Sequence, residues 1–553
     1  MDITIKFAGD SGDGMQLIGT MFSNVVSRLG HQVYTFPSYP ADMRAPKNTI
    51  GGVSSFQVHF GDVVSDSGDK VDFLICMNKV SYEKFRDEVK DDGMVIIDGE
   101  FIEGVEIDKK HWIVPVTSQC KELNALKSRN IYMLSCLAYY LDLPLNLFEE
   151  EITKKFLKKE DVKNLNIFVL TKANDFCDNL CIEKKKIDLT RDKLAKNEGF
   201  ELLSGCKAIC KGLIKASETI NRRLFLGSYP ITPATDILIE LEKERKNGVI
   251  AVQAEDEIAG CSMAIGASFG GVIGVTSTSG PGVCLKSEAM NLAVMANLPL
   301  VIIDVMRGGP STGLPTKTEQ SDLNIALYGR SGDSPVPVLA PTSPKDCYRK
   351  GYEAVKLAVE HLTPVIVLMD AYIGSGLEMT NLNQKLPSIH INNEWINAMN
   401  KTITQIGGSE SDPITHTIST TPEIHERMTQ ERFNKVEYGI ESPLLQTIGG
   451  GDYLLVGWGG TYGKIESVRK RLEEEGIKMA HVHFDYIRPI PDNTSFMLNG
   501  YKYIFVIEQN TGQFKNYIQG LSNRLVNVNQ VNGEPINVEE TVKYIKSFLD
   551  HNN

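Results

Sequence analysis

The sequence contains no long apolar run. A membrane span needs roughly 18 consecutive apolar residues, and none of the 553 residues lies in such a run. The amino-terminal residues also lack the basic, apolar and small-residue order of a secretory signal peptide. We therefore expect a cytoplasmic protein that does not enter membranes. Basic side chains are in deficit, with 58 Lys and Arg against 70 Asp and Glu and a net charge of −12. Because phosphate neutralisation dominates nucleic-acid binding, no nucleic-acid partner is expected.

Cysteine spacings suited to metal clusters are missing as well. The ten cysteines are expected to be reduced thiols in a protein without a signal peptide. Two close pairs, Cys177 with Cys181 and Cys206 with Cys210, are four residues apart, whereas iron–sulfur and zinc sites use C-x2-C spacing. Free cysteine commonly packs as a small hydrophobe, and we prefer that interpretation. No metal site is predicted in this chain, and any iron–sulfur cluster must lie on another polypeptide.

The residues that are present indicate an α/β chain of about three domains, since one hydrophobic core rarely serves more than about 300 residues. Strand and helix patterns alternate along most of it, with helices predicted over about residues 15–29, 205–220 and 462–475. The charged stretch 183–199 is the predicted linker. The predicted segments are an α/β domain at residues 1–190, a parallel-sheet domain at 200–375, an irregular connection at 376–442 and a smaller α/β domain at 443–553.

Four short motifs each begin where a predicted strand of the second segment ends. Ligands of open parallel α/β sheets bind outside the carboxyl ends of the strands. We therefore expect the four motifs to converge on one site. They are YPITP at residues 229–233, EDE at 255–257, TSGPG at 278–282 and RGGP at 307–310.

Three side chains in these motifs suggest chemistry. The prolines on either side of Thr232 stiffen its turn, which suits a hydroxyl that binds a substrate carboxylate or carbonyl. Glu257 precedes small residues at a predicted helix start, where a desolvated carboxyl group can share a proton with a ring nitrogen. The planar fork of Arg307 favours a carboxylate. Taken singly, each also has a structural interpretation, as a turn hydroxyl, a helix-start carboxylate and an ion pair.

Taken together, the motifs resemble those of the 2-oxoacid:ferredoxin oxidoreductases, and the chain is similar to their α subunit. The resemblance includes the run GPSTGLPTKTEQSDL at residues 309–323. The first segment is similar to the γ domain of the family, through residues 9–14 and 36–46, and the third fits through residues 488–491 and 508–513. The resemblance implies an α/β fold with three domains: a γ-type domain, a parallel-sheet domain that binds the pyrimidine of thiamine diphosphate, and a transketolase-C-like domain.

The family decarboxylates a 2-oxoacid on thiamine diphosphate, passes two electrons singly through an iron–sulfur cluster to ferredoxin, and releases an acyl-coenzyme A. The resemblance implies that this chain is catalytic only with a β subunit, as an αβ heterodimer or (αβ)2. The β subunit would hold the diphosphate, Mg²⁺ and a [4Fe-4S] cluster. Because the fusion of γ to α is similar to enzymes of 2-oxoglutarate or of a range of 2-oxoacids, we expect 2-oxoglutarate as the substrate and coenzyme A as the co-substrate.

The resemblance also implies roles for individual residues. Glu257 would hydrogen-bond the aminopyrimidine nitrogen of the cofactor and promote the tautomer that deprotonates the thiazolium carbon, with Glu255 as the competing choice. Thr232, Arg307 and Thr316 would bind the carboxylate and carbonyl of the substrate, with Ile231 near the reacting centre. The remaining predicted cofactor contacts are Tyr229, Pro230, Thr278 and Ser279.

The glycine-rich loop at residues 9–14 leaves two alternatives open. Free backbone N–H groups at a helix start attract anions, but Asp10 and Asp13 bring negative charge and are good caps of a tight turn without any ligand. The loop also imitates the Gly-Asp-Gly that opens the magnesium-diphosphate motif of thiamine enzymes. We reject that match, because Asn24 and Asn48 are the nearest candidates for the asparagine pair it requires.

Two other functional classes remain as alternatives. A non-catalytic α/β scaffold would keep the fold, although the intact Thr232, Glu257 and Arg307 argue against it. A subunit of a non-redox thiamine-diphosphate decarboxylase would use the same residues and would have no iron–sulfur partner.

Overall fold

The structure is a computed structural model, and it describes residues 2–40, 49–105, 107–185, 199–395, 409–410, 412, 415 and 417–552. The chain divides into two compact units. The first comprises Met1–Leu202 with Gly376–Met379, and the second comprises Leu203–Ser375 with Thr380–Asn553. The predicted linker at residues 183–199 and the γ-type motif at 36–46 lie largely outside the described residues. The division into four segments stays a prediction about domains.

The strands of the described residues are numbered in chain order. They are β1 (Asp2–Asp10), β2 (Gln32–Ser38), β3 (Val53–Gly61), β4 (Val71–Cys76), β5 (Val89–Asp98), β6 (His111–Val114), β7 (Phe200–Ser204), β8 (Leu224–Ser228), β9 (Val249–Gln253), β10 (Ile273–Thr278), β11 (Leu300–Met306), β12 (Val338–Leu339), β13 (Pro364–Asp370), β14 (Leu377–Asn381), β15 (Thr447–Gly449), β16 (Tyr453–Trp458), β17 (Met479–Phe484), β18 (Tyr486–Arg488), β19 (Tyr503–Glu508) and β20 (Leu525–Asn529).

The α-helices alternate with these strands through most of the chain. No helix among the described residues has the length and apolar content needed to cross a membrane. The helices are Met15–Arg28, Lys79–Phe85, Val116–Glu122, Arg129–Tyr140, Leu145–Lys155, Glu160–Asn179, Gly205–Thr219, Thr235–Lys243, Glu257–Phe269, Gly280–Met295, Leu323–Tyr328, Asp346–His361, Ala371–Ser375, Pro422–Glu437, Tyr462–Glu474, Thr494–Leu498, Gln513–Ile518 and Val538–Asn552.

The first unit is built on a mixed sheet. Its strands lie in the order β6-β5-β4-β1-β3-β2, and β14 pairs with β2. The central strand β1 is parallel to β4 and antiparallel to β3. Its alternate residues Ile3, Ile5 and Phe7 are buried in a core that also contains Ile18 and Phe22 of the helix Met15–Arg28. The period of two in the strand and the helical spacing of the next segment therefore meet in one apolar layer.

The second unit contains two sheets that share a core. The larger sheet has the order β18-β12-β13-β11-β10-β8-β9, and the smaller has the order β15-β17-β16-β19-β20. Every residue of β11 is buried, as expected for a central strand of a parallel sheet that is covered on both faces. Ile302 and Val338 of the larger sheet lie in the same hydrophobic cluster as Leu454 and Val456 of the smaller one.

Several predicted elements agree closely with the structure. The predicted helices at residues 15–29, 205–220 and 462–475 are observed as Met15–Arg28, Gly205–Thr219 and Tyr462–Glu474. Residues 376–442, expected to be irregular, nevertheless contain β14 and the helix Pro422–Glu437. Only Val436 of that helix is buried, so it shows no apolar periodicity. Exposed i,i+4 ion pairs such as Arg427 with Glu431 support it instead.

A chain of hydrogen bonds links the helix Tyr462–Glu474, strand β17 and the turn after β16. Nδ1 of His481 lies 2.6 Å from Oε1 of Glu466, and Nε2 of His481 lies 3.2 Å from Nδ1 of His483. Nε2 of His483 lies 2.8 Å from the backbone oxygen of Gly459. Burial, reinforced by the neighbouring His481, holds the pKa of His483 well below its ordinary value. His483 is therefore neutral in the folded protein near neutral pH.

We predict that His483 makes the chain less stable in acid. Because its pKa is lower in the folded state than the 6.5 of an ordinary histidine, its contribution is complete above pH 6.5 and is lost as the pH falls toward the folded-state pKa. The loss amounts to about 1.4 kcal/mol per pH unit in that window. Urea unfolding of His483→Gln, followed on both sides of pH 6.5, should show a weaker pH dependence than wild type. The exposed His551 provides the control His551→Gln, and equal slopes in the His483 variant and wild type would contradict the prediction.

Candidate active site

The four motifs predicted to converge do so at one edge of the larger sheet. Strands β9, β8, β10 and β11 are neighbours in that order. Each adjacent pair is parallel, so their carboxyl ends point the same way. The predicted site residues lie at the carboxyl ends of these strands or in the segments that follow them, and Thr316 is the farthest along the chain from its strand, β11.

Glu257 is the first residue of the helix Glu257–Phe269. The preceding residue caps this helix, since Oδ1 of Asp256 accepts a hydrogen bond from the backbone N–H of Ala259 at 2.7 Å. The side chain of Glu257 is half-buried, whereas that of the competing Glu255 is exposed and lies before the helix. Within this chain the Glu257 carboxyl group is thus less enclosed than the sequence indicated.

A glycine of the third motif makes room beside Glu257. A Cβ atom at Gly282 would overlap the hydroxyl oxygen of Thr278 and lie 3.0 Å from Cγ of Glu257. Only glycine fits this position without displacing one of these side chains. The close approach brings the second and third motifs into direct contact at the edge of the sheet.

Lys286 is a site residue that the sequence analysis missed. It is fully buried, and its Nζ donates to the backbone oxygen of Glu257 at 3.2 Å. Burial lowers the pKa of Lys286, and the nearby Cys261 thiol and Glu257 carboxyl groups oppose this shift. Lysine side chains are mostly exposed in folded proteins, so no local signal marked Lys286 as buried.

Arg307 contacts the first motif directly. Its Nη1 donates to the backbone oxygen of Thr232 at 2.6 Å, while the Thr232 side chain is exposed. Arg307 is only 7% exposed, and its Nε has no hydrogen-bond partner among the described residues. Burial lowers the pKa of the guanidinium, and the Asp322 carboxyl group opposes this shift. A buried cation with an unused donor is suited to bind an anionic ligand group.

A fully buried carboxyl group, Asp304, and a half-buried one, Asp322, lie near these cations. Burial raises the pKa of Asp304 well above its ordinary value, with Asp322 adding to the shift and Lys286 opposing it. Burial also raises the pKa of Asp322 to about 6, with Glu319 adding to the shift and Arg307 opposing it. Both oxygens of Asp304 lack a hydrogen-bond partner in the described part of the chain. An acidic residue inside the apolar strand β11 was the signal that could have identified Asp304.

The remaining predicted residues divide into exposed and enclosed groups. Tyr229 is 38% exposed, and Pro230 and Ile231 are half-buried on the same loop. Thr278 and Ser279 are fully buried. Loop residues of the first motif are thus accessible to a ligand, whereas the side chains of Thr278 and Ser279 lie inside the chain.

The loop after β11 returns on itself before it reaches Thr316, which is half-buried. Leu314 N–H donates to the oxygen of Gly308 at 2.9 Å, and Gly308 N–H donates to the oxygen of Lys317 at 3.1 Å. The loop also borders a cavity of about 840 Å³, whose lining includes Arg307, Glu319, Asp322, Asn510 and Gln513. Glu257 and Thr232 are not part of this lining among the described residues.

In the first unit, the structure favours the capped turn for residues 9–14. Oδ2 of Asp13 accepts from the backbone N–H of Asp10 at 2.9 Å, and Oδ1 of Asp13 accepts from Arg129 at 3.2 Å. Gly14 has a φ of 77°, and a Cβ there would overlap the side-chain amide of Asn130. The Asp13 carboxylate thus closes the turn and pairs with Arg129 within this chain.

Comparison with known proteins identifies the family. A family model described as "Pyruvate flavodoxin/ferredoxin oxidoreductase, thiamine diP-bdg" matches residues 220–441, and one described as "Pyruvate ferredoxin/flavodoxin oxidoreductase" matches residues 4–176. The 2-oxoglutarate oxidoreductase subunit KorA of Mycobacterium tuberculosis is 36% identical, over 99% of this chain and 92% of the relative. This chain belongs to the 2-oxoacid:ferredoxin oxidoreductase family.

Other members of the 2-oxoacid:ferredoxin oxidoreductase family are similar over comparable lengths. The 2-oxoacid:ferredoxin oxidoreductase subunit alpha of Saccharolobus solfataricus is 27% identical, over 92% of this chain and 91% of the relative. A solved structure of 2-oxoglutarate:ferredoxin oxidoreductase from Magnetococcus marinus, with 2-oxoglutarate, coenzyme A and succinyl-CoA bound, has a TM-score of 0.87 at 28% identity and covers 99% of both chains. The resemblance and the α/β fold class predicted from the sequence are confirmed.

Proposed function

We propose that this chain is the α subunit, with its γ-type domain fused in front, of a 2-oxoglutarate:ferredoxin oxidoreductase. The reaction converts 2-oxoglutarate, coenzyme A and two oxidised ferredoxins into succinyl-CoA, CO₂, a proton and two reduced ferredoxins. The observation that carries the proposal is the buried Arg307, whose Nε has no partner among the described residues and which borders a large cavity. The names of the Mycobacterium and Magnetococcus relatives support the choice of substrate.

The residues at the edge of the sheet fit thiamine diphosphate. The half-buried Glu257 carboxyl group and the accessible loop at Tyr229 and Pro230 are suited to a flat ring next to a carboxyl group. When bound, thiamine diphosphate supplies the carbon nucleophile and the electron sink that oxidative decarboxylation requires. Glu257 would hold and return a proton at the aminopyrimidine nitrogen. Lys286 keeps the start of that helix in place through its bond to the Glu257 backbone.

We assign substrate binding to Arg307, to the loop that carries Thr232 and to the loop that follows Arg307. The guanidinium would pair with the 1-carboxylate of the 2-oxoacid, because its planar donors match a carboxylate. Its bond to the Thr232 backbone ties that loop to the same position. The hydroxyl groups of Thr232 and Thr316 would then hydrogen-bond the carboxylate and carbonyl, with Ile231 beside the reacting carbon. Thr278 and Ser279, which are both fully buried, would contact the cofactor from the interior of the chain.

A β subunit completes the proposed enzyme. It would hold the diphosphate, Mg²⁺ and a [4Fe-4S] cluster and pass electrons to ferredoxin. The half-buried Glu257 and the absence of Glu257 from the described lining of the large cavity support a site that needs a second polypeptide to close it. An αβ heterodimer or (αβ)2 and a cytoplasmic location remain part of the proposal.

The decisive experiment purifies the chain together with its β subunit. We expect the complex to contain iron and to reduce a viologen dye with 2-oxoglutarate and coenzyme A, faster than with pyruvate or other 2-oxoacids in a panel. The chain alone should be inactive. A clusterless partner would favour the non-redox decarboxylase, and full activity of the chain alone would contradict the shared site.

A further inference from the structure

A buried glutamine joins the loop after β11 to the smaller sheet. Gln320 is fully buried, and its backbone N–H donates to the oxygen of Gln509 at 3.0 Å. Its side-chain Nε2 donates to the oxygen of Trp458 at 2.8 Å, and its Oε1 accepts from the backbone N–H of Gln509 at 3.1 Å. The backbone oxygen of Gln320 accepts from Nδ2 of Asn510 at 2.9 Å. Backbone and side chain of Gln320 are thus both bonded to the smaller sheet or to the loop after β19.

A second amide extends the same connection. Nε2 of Gln513 donates to the oxygen of Ser321 at 2.8 Å, and its Oε1 accepts from the backbone N–H of Asn324 at 2.9 Å. Oδ1 of Asn510 in turn accepts from the N–H groups of Gly512 and Gln513 at 2.8 Å. Residues 508–513 are therefore arranged to form hydrogen bonds with residues 320–324.

The anchored loop carries residues assigned to the substrate. Ser321 Oγ lies 3.5 Å from the backbone oxygen of Arg307, and the Asp322 carboxyl group interacts electrostatically with the Arg307 guanidinium. Thr318 N–H donates to the oxygen of Gly533 at 3.2 Å, two residues after Thr316. A shift of the loop away from the smaller sheet would therefore move the surroundings of both Arg307 and Thr316.

A polar network is a selective way to join two sheets. Apolar side chains would give comparable cohesion, and the two sheets already share a hydrophobic core. A side-chain amide that bonds backbone groups also fixes one position of the loop relative to the sheet. Any displacement of the amide leaves several buried polar groups without partners. This selectivity is what a loop with a binding role needs.

We propose that Gln320, together with Asn510 and Gln513, is a positioning residue for 2-oxoacid binding. It fixes the loop 308–322 on the smaller sheet, and so sets where Arg307 and Thr316 meet the substrate. The inference rests on the proposed function, because it assigns these two residues to the 2-oxoacid. It gives the carboxyl-terminal sheet a role in substrate affinity although that sheet supplies no residue of the four strand-end motifs.

The test compares Gln320→Leu with a matched variant in the copurified complex. Leucine keeps the approximate volume and removes two side-chain hydrogen bonds of about 0.5 to 1.5 kcal/mol each, so KM for 2-oxoglutarate should rise roughly tenfold. The apparent Kd of thiamine diphosphate should stay within about twofold, because the loop is not assigned to the cofactor. The control Gln57→Leu removes a buried amide of the first unit that donates to the backbone oxygens of Ser67 and Gly68, and it should leave KM unchanged.

Hydrogen exchange on the chain alone provides an independent readout. Backbone amides of residues 308–322 should exchange faster in Gln320→Leu than in wild type, and those of the first unit should not change. Faster exchange with an unchanged KM would reduce Gln320 to a structural role and overturn the proposal. Unchanged exchange would also overturn it, because Gln320 would then not anchor the loop.

A second variant protects the test against misfolding. If Gln320→Leu fails to assemble, Gln513→Leu takes its place, since Gln513 is only half-buried and the variant loses the bonds to Ser321 and Asn324. Gln513→Leu should show the same rise in KM and the same faster exchange. A wild-type complex that oxidises no 2-oxoacid would instead contradict the proposed function. The exchange measurement would still decide whether Gln320 anchors the loop.

Discussion

Replacing Glu257 by glutamine is expected to lower the turnover of the αβ complex at least about 100-fold, since positioned acid–base groups contribute factors of roughly 10² to 10⁴. An amide has the shape of the carboxyl group but cannot take up and return a proton. The helix cap by Asp256 and the bond from Lys286 to the Glu257 backbone do not involve the altered group. The complex should therefore assemble normally. Steady-state rates with 2-oxoglutarate and a viologen dye, together with iron content and size-exclusion elution, measure both effects.

Glu255→Gln is the matched control for this variant. Glu255 lies two residues earlier in the same motif, and its side chain is exposed. Turnover near the wild-type value is expected, because its carboxyl group lies outside the helix that packs beside Gly282. The reverse result, with Glu255→Gln inactive and Glu257→Gln active, would exchange the roles of the two residues. Wild-type rates in both variants would remove the proton-sharing carboxylate from this motif.

Arg307→Lys is expected to lower kcat/KM for 2-oxoglutarate by about 100-fold, the equivalent of a charge-assisted interaction of about 3 kcal/mol. Lysine retains the charge but cannot reproduce the planar, two-pronged contact with a carboxylate. It also cannot hold the Thr232 backbone oxygen and a substrate in the same fixed geometry. The loss should appear mainly in KM, while thiamine diphosphate still binds to the complex. Initial rates over a range of 2-oxoglutarate concentrations give both constants.

The half-buried Arg330 offers the control for this substitution. Arg330 donates to the backbone oxygens of Ser334, Ala326 and Leu327, so Arg330→Lys removes a similar set of guanidinium bonds elsewhere in the unit. The kcat/KM of Arg330→Lys for 2-oxoglutarate should stay within about threefold of wild type, as expected for a residue that touches no reacting group. Equal losses in the two variants would indicate general destabilisation, and an unchanged KM in Arg307→Lys would remove Arg307 from substrate binding.

The features predicted correctly from the sequence are local ones. Strand ends, turn residues and glycines of the four motifs follow one another along the chain, and the parallel topology brings strand ends together in any such sheet. The helices Met15–Arg28, Gly205–Thr219 and Tyr462–Glu474 were visible because each buries one apolar face at helical spacing. The helix Pro422–Glu437 buries only Val436 and gave no such signal.

The features that the sequence did not predict concern which charged side chains become buried. Glu257, whose position in the sequence predicted a largely desolvated carboxyl group, is half-buried in this chain, while Lys286 and Asp304 are fully buried. A lysine within a helix has the same local pattern whether it faces solvent or the core, whereas the place of Asp304 inside an apolar strand was a local sign of burial. Their burial follows from the packing of the helix Gly280–Met295 against the sheet, and it changes their pKa values only in the folded chain.

The amino-acid sequence by itself determined the family, the α/β class and the strand ends that meet at one edge of the sheet, because motif residues and apolar periodicity are properties of neighbouring positions. Only the tertiary structure decided that Arg307 bonds the backbone of Thr232, that Lys286 lies beneath Glu257, and that Gln320 meets Gln509, 189 residues further along the chain. Such contacts join side chains to backbone groups of distant segments. Their geometry is set by how the sheets pack, which no local pattern of residues encodes.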